Sequence, residues 1–112
     1  MERCAAACAD CHAACLRTAL ADGLAAGSAR LAPEHFRLLM DCADLCATTA
    51  DFMLRGSAFH ERVGGVCAEV CAACAQSCVQ FDLADASQQL QACRAACVRC
   101  AKSCREAAGA MR

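Results

Sequence analysis

Tryptophan and tyrosine are absent from the 112 residues, and phenylalanine occurs only four times. That removes the aromatic platform on which single-stranded nucleic acids stack. Charge of one sign is also lacking: 11 Lys and Arg stand against 12 Asp and Glu, for a net charge of -1. With no basic block, the chain has no electrostatic footprint for nucleic acid. No run of about 18 uncharged apolar residues occurs, so no membrane span is expected. Glu2, Arg3 and Asp10 interrupt the N-terminal stretch, which leaves no apolar segment of the signal-peptide kind. The expectation is a soluble, cytoplasmic protein in which residues 1–112 form a single domain. No Ser/His/Asp grouping or inward carboxylate pair suggests catalysis, so a non-enzymatic role is expected.

One proline and six glycines, with abundant alanine, give the composition of helix. Breaks fall at "GSARLAP" (27–33), "RGS" (55–57) and "DLADAS" (82–87). They predict helices over about 2–25, 33–55, 58–81 and 86–108. Pro33 suits a first helical position, Gly56 a C′ position with Ser57 as the next N-cap, and Asp85 with Gln88 a capping box. Short connections between helices of this length predict an all-α, antiparallel up-down-up-down four-helix bundle.

What the chain has in excess is cysteine, at fourteen positions. A reducing compartment points such a count toward metal or redox chemistry rather than disulfides. Twelve of the cysteines form three copies of C-x3-C-x2-C-x3-C: Cys4, Cys8, Cys11, Cys15; Cys67, Cys71, Cys74, Cys78; and Cys93, Cys97, Cys100, Cys104. Cys42 and Cys46 begin a fourth copy, which Thr49 and Met53 complete in the same phase. On a helix, positions i, i+4, i+7 and i+11 fall within roughly a 60° arc and span roughly 16 Å. Each helix therefore carries one stripe of sulfur. Glu69, Gln76, Asp44, Asp51, Arg94 and Lys102 lie on the opposite faces, so the stripes face inward. Four such stripes predict a core lined by sulfur where leucine normally sits.

Competing explanations are weaker. Cysteine as a small hydrophobe packs poorly in layer after layer. Disulfides at i, i+4 are strained because the Cβ vectors run nearly parallel. Iron–sulfur ligands usually come from loop-like runs, and these runs are continuous helix. Three stacked Zn(Cys)4 sites would bury about six negative charges with no compensating cation in the stripe. A soft monovalent ion that bridges shared thiolates leaves the core near neutral, and Cu(I) is that ion. The expected load is on the order of one Cu(I) per cysteine, with matching proton release. A redox or Fe–S bundle and a zinc-binding bundle stay open as alternatives.

The two ends of the expected tube differ. At one, Cys4, Cys104, Met53, His60, Met1 and Met111 gather; Met53 and His60 lie in phase with the stripes and are candidate ligands at a mouth. The other offers Leu20, Leu39, Phe81, Leu83 and Leu90, read as an apolar plug, with His35 in stripe phase. His12 flanks the first stripe, and Asp41 beside Cys42 is a candidate oxygen donor. Leu38, Leu45 and Phe52 form a second apolar row expected to seal a helix seam. Small outer residues, among them Ala6, Ala13 and Ala14, would let copies of the chain pack closely.

"DCADLC" (41–46), "RGSAFHERVGGVCAEVCAAC" (55–74) and "CRAACVRCAKSC" (93–104) resemble the bacterial copper storage proteins across essentially the whole chain. The resemblance implies a four-helix bundle whose cysteine-lined core holds multiple Cu(I) ions, with all fourteen cysteines as copper ligands and His60 at the mouth. It also implies a cytosolic homo-oligomer, a tetramer in the cytosolic relatives, with copper chaperones or chelators as partners. One departure stands out. Relatives often carry histidines between the third and fourth helices, and "VQFDLADASQQLQ" has none, so the mouth expectation rests on Met53 and His60.

Overall fold

A computed structural model of the protein describes residues 1–23, 33–80 and 88–109. Four helices carry the chain: α1 (Glu2–Gly23), α2 (Pro33–Leu54), α3 (His60–Gln80) and α4 (Gln88–Ala107). They pack as a ring in which α1 meets α2 and α4, and α3 meets α2 and α4, with no close backbone approach across either diagonal among the described residues. Residues that touch run in opposite chain directions, as in Cys4 with Cys104 and Cys15 with Cys93. The bundle is therefore antiparallel and up-down-up-down, 44 × 22 × 20 Å overall.

Alanine sets how tightly the ring closes. Ala5, Ala43, Ala68 and Ala101, each immediately after a stripe cysteine, are buried, as are Ala14, Ala75 and Ala96. Small side chains at the seams let the backbones approach, and the sulfurs then reach one another across the axis. Ala14 is thus a seam residue rather than part of an outer face. Leu38, Leu45 and Phe52 are half-buried, and the two leucines pack against the core as expected of a seam row. Among the described residues no helix is long and apolar enough to cross a membrane.

The α2–α3 turn follows from its sequence. Gly56 has φ +61, the left-handed conformation that glycine adopts without a Cβ penalty. Ser57 N–H donates to the Phe52 carbonyl at 3.0 Å and Gly56 N–H to that of Met53 at 3.2 Å. This pair of bonds is a Schellman motif. Ser57 then caps the next turn: its Oγ accepts from the Phe59 N–H at 3.1 Å, and its carbonyl from the His60 N–H, also at 3.1 Å. Those turn bonds occupy residues 57–59, so α3 begins at His60 rather than at 58. The expected ends at 24–25, 81 and 86–87, and the Asp85 half of the capping box, lie outside the described residues.

Gly64 permits a close approach. A Cβ there would stand 3.4 Å from the Cys104 carbonyl of α4 and 3.0 Å from Met53 Cε of α2. The first turns of α3 thereby sit tight against α4 and under the methionine.

Candidate metal centre

The 3.6-residue period turns all fourteen cysteines inward. Twelve are 0% exposed, and only Cys4 and Cys78, at opposite ends, reach 1%. All are free thiols. On the side where α1 and α4 face each other, the sulfurs step inward. Cys4 Sγ lies 3.4 Å from Cys104, Cys104 3.5 Å from Cys8, Cys8 3.5 Å from Cys100, Cys11 3.6 Å from Cys97 and Cys15 3.7 Å from Cys93. Between α2 and α3, Cys42 and Cys46 lie 3.7 and 3.5 Å from Cys71. Cross-bundle contacts join the two halves: Cys11 to Cys42 at 3.8 Å and Cys46 to Cys100 at 3.8 Å.

Three sets of four sulfurs each fall within 4.8 Å of one another: Cys8, Cys67, Cys100, Cys104; Cys11, Cys46, Cys71, Cys100; and Cys11, Cys15, Cys42, Cys97. A thiolate–metal bond of about 2.3 Å sets sulfurs about 3.8 Å apart in a tetrahedron and about 4.6 Å apart in a line. The spacing suits either. Sharing separates the possibilities: Cys11 and Cys100 each serve in two sets, so three closed four-ligand sites cannot coexist. A chain of bridging thiolates can use the same sulfurs together.

Proton positions follow from the contacts. Hydrogen bonding from Cys104, then Cys8, draws the Cys4 thiol down to about 4. Cys42 is lowered first by Cys11 and then by Cys15. Their neighbours move the other way. Cys46 is pushed up chiefly through Cys100, Cys15 through Cys11, and Cys104 through Cys100, with burial adding to each. Lowered and raised thiols lie in contact, Cys4 with Cys104 and Cys42 with Cys46. A thiol that holds its proton must release it to an incoming cation.

At the end where α1 begins and α4 finishes, a cavity of about 620 Å³ is lined by Met1, Glu2, Arg3, Cys4, Ser103 and Glu106, among others. Met53 is buried, at 2% exposure, and its Cε and the Cys104 carbonyl both border Gly64. His60 is half-buried. Its Nδ1–H donates to the Ser57 carbonyl at 2.8 Å, which leaves the lone pair of the neutral ring on Nε2. Such a bond is the usual way a ligand imidazole is oriented. His60 joins none of the three cysteine groups.

The remaining candidates are placed otherwise. His12 donates from Nδ1 to the Ala43 carbonyl at 2.7 Å, tying α1 to α2. Asp41 is exposed and turned from the sulfurs. His35 is buried and bonds Ser77 Oγ through Nδ1 at 2.6 Å. Thr18 Oγ1 donates to the Ala14 carbonyl at 2.7 Å and accepts from Gln89 Nε2 at 3.3 Å. The end read as an apolar plug therefore has a polar layer beside the buried Leu39 and Leu90. Leu20 is 44% exposed and takes no part in it, while Phe81, Leu83 and Met111 lie outside the described residues. Thr18 and Ser77 carried no signal in the sequence beyond their stripe-flanking positions.

A family model described as copper storage protein matches residues 1–109. An uncharacterized cysteine-rich protein of Bacillus subtilis (strain 168) is 34% identical over 107 residues, which cover 96% of this chain and 94% of that protein. Among solved structures, a Nitrosospira multiformis protein is 41% identical with a TM-score of 0.84, over 97% of this chain and 94% of that one. The Cu(I)-bound copper storage protein BsCsp3 is 34% identical with a TM-score of 0.85, covering 96% of each chain. Apo copper storage protein 3 from Bacillus subtilis is 34% identical with a TM-score of 0.79, over 96% of this chain and 97% of that one. A sulfur-lined four-helix bundle and matches that run nearly end to end lead to one assignment: the chain belongs to the copper storage protein family.

Proposed function

We propose that the protein stores multiple Cu(I) ions as cargo along the thiolate-lined axis of the bundle, without catalysing a reaction. The observation that carries this reading is the sharing of Cys11 and Cys100 between four-sulfur sets. A run of bridged monovalent ions is the arrangement that uses shared thiolates while keeping a buried core near neutral. All fourteen cysteines serve as ligands, Met53 and His60 supply softer and imidazole contacts at the mouth, and the load is about one Cu(I) per cysteine. Membership of the family and the kinship with a Cu(I)-bound structure support storage. Residues 1–112 act as one domain in the cytoplasm, within a homo-oligomer supplied by copper chaperones or chelators.

Anaerobic titration of the reduced protein with Cu(I), counting bound ions and remaining free thiols together, tests the reading. Thiol reactivity should vanish as bound copper rises toward one ion per cysteine. Saturation at three or four ions would replace the filled tube with discrete sites. A brown chromophore after reconstitution with iron and sulfide, in place of ultraviolet thiolate–Cu(I) bands, would favour the Fe–S alternative.

A further inference from the structure

We propose that Cu(I) passes into the bundle where α1 begins and α4 finishes, with Cys4 as its first acceptor and the adjoining cavity as the dock for a small Cu(I)–thiol complex. This inference rests on the storage reading and adds a route and a donor class to it.

Cys4 and Cys78 alone among the cysteines are not fully sealed, so either end offers a way in. Each also borders a cavity: about 620 Å³ at Cys4 and about 410 Å³ at Cys78. Two observations favour Cys4. Both volumes lie in the range of roughly 300 to 1,000 Å³ that suits a small ligand, and the one at Cys4 is the roomier. Glu2, Arg3, Ser103 and Glu106 bring charges of both signs and a hydroxyl to that cavity, a lining matched to an amino-acid-like thiol with amine and carboxylate groups. The cavity beside Cys78 is bordered instead by Val79, Leu90, Gln91 and Arg94. Sulfurs stand behind Cys4, as Cys74 and Cys93 do behind Cys78: Cys104 lies 3.4 Å away, and both Cys104 and Cys100 lie 3.5 Å from Cys8. Met53, which borders Gly64 together with the Cys104 carbonyl, stands at the same end.

The exchange balances without redox change. Cys4 thiolate adds to Cu(I) held by two donor thiolates, one donor thiolate leaves, and the Cys104 or Cys8 thiolate displaces the second. Protons from the protein thiols pass to the departing thiolates, and copper stays Cu(I) throughout. A cavity of this size admits a small carrier; a docking protein domain would instead need an interface of about 800 Å² on each side.

The test uses Cu(I) presented as its glutathione complex to the whole reduced protein under anaerobic conditions. Cys4→Ser should slow the initial loading rate about tenfold, equivalent to about 1.4 kcal/mol in barrier, whereas Gln91→Trp, which obstructs the cavity beside Cys78 and removes no sulfur, should load close to the parent. Ser103→Trp, which obstructs the cavity and removes no sulfur, should slow loading in the same sense. Slowing by Gln91→Trp with a normal rate for Cys4→Ser and Ser103→Trp would overturn the route. A copper-free measurement stands beside it: substoichiometric N-ethylmaleimide on apo protein, followed by peptide mapping, should mark Cys4 first. Labelling of Cys78 first would overturn the proposal even where Cys4→Ser failed to fold. If the parent protein took up no Cu(I), the storage reading would fall, while the labelling order would still report on the port.

Discussion

Met53 sets its Cε 3.0 Å from the point where a Cβ on Gly64 would stand, and the Cys104 carbonyl lies 3.4 Å from the same point. The glycine therefore holds the mouth together by having no side chain. Gly64→Ala gains about 0.5 to 1 kcal/mol of helix propensity but forces overpacking that typically costs about 1 to 3 kcal/mol. The methionine terminus can swing aside; the α4 carbonyl cannot move without the helix. Net destabilisation of about 1 kcal/mol is expected in denaturant unfolding of the apo protein. In a Met53→Ala background the same substitution should cost less, because part of the clash is gone. Stabilisation by Gly64→Ala would refute the close-approach argument.

His60→Ala should slow copper loading severalfold and lower capacity by no more than one ion. The Ser57 carbonyl holds Nδ1–H at 2.8 Å, so Nε2 offers its lone pair near the first turn of α3. A ring tethered in this way hands a soft cation onward rather than storing many. His60→Gln, which keeps a polar group but no imidazole lone pair, should resemble the alanine variant. Parent-like loading by both variants would remove His60 from the route.

The sulfur stripes were legible because cysteine spacing and helical period are both fixed numbers: residues at 4-3-4 intervals had to share a face, and all fourteen are buried. The α2–α3 turn was legible too, since Gly56 is the residue that tolerates φ +61. Other features were not. Continuing the stripe from Cys15 brings Thr18 and Ala19 inward and leaves Leu20, one residue further round, facing solvent. Hydrophobicity alone misplaced that leucine. Thr18 satisfies its hydroxyl within its own helix by bonding the Ala14 carbonyl, a local arrangement with no sequence signature. The His35–Ser77 bond joins residues 42 positions apart, and helix periodicity does not set the relative height of two helices. Gly64 was unremarkable until the neighbouring helices revealed what its missing Cβ makes room for.

Apo stability should fall above pH 9. Cys15 and Cys46 are raised in the folded state from an ordinary value of 9.0, first by their bonds to Cys11 and Cys100 respectively. A raised group contributes stability below its unfolded pKa; above that, the unfolded chain ionises while the folded one still holds its proton. Each such thiol makes unfolding easier by about 1.4 kcal/mol per pH unit past the unfolded value. Urea midpoints of reduced protein should therefore drop between pH 9 and about 10.5, while the Cu(I)-loaded form, whose thiolates are already deprotonated, should not follow. A flat apo profile would mean that the thiols ionise as freely inside the bundle as outside it.

Cys46 is the sulfur with the widest reach: its Sγ lies 3.5 Å from Cys71, 3.8 Å from Cys67, 3.8 Å from Cys100 and 3.9 Å from Cys42. It joins α2 to α3, its neighbour in the ring, and to α4 across the diagonal. In a chain of bridging thiolates, removing such a node deprives two ions of a ligand; in closed sites it would weaken only one. Cys46→Ala should consequently lower Cu(I) capacity by more than one ion, whereas Cys78→Ala, at the end of its stripe, should lower it by about one. Loss of a single thiol leaves a small void, so both variants should fold, and helical circular dichroism checks that they do. Counting ions and free thiols together distinguishes the outcomes. Equal losses from Cys46→Ala and Cys78→Ala would mean that the many sulfur contacts of Cys46 do not make it a bridge between ions.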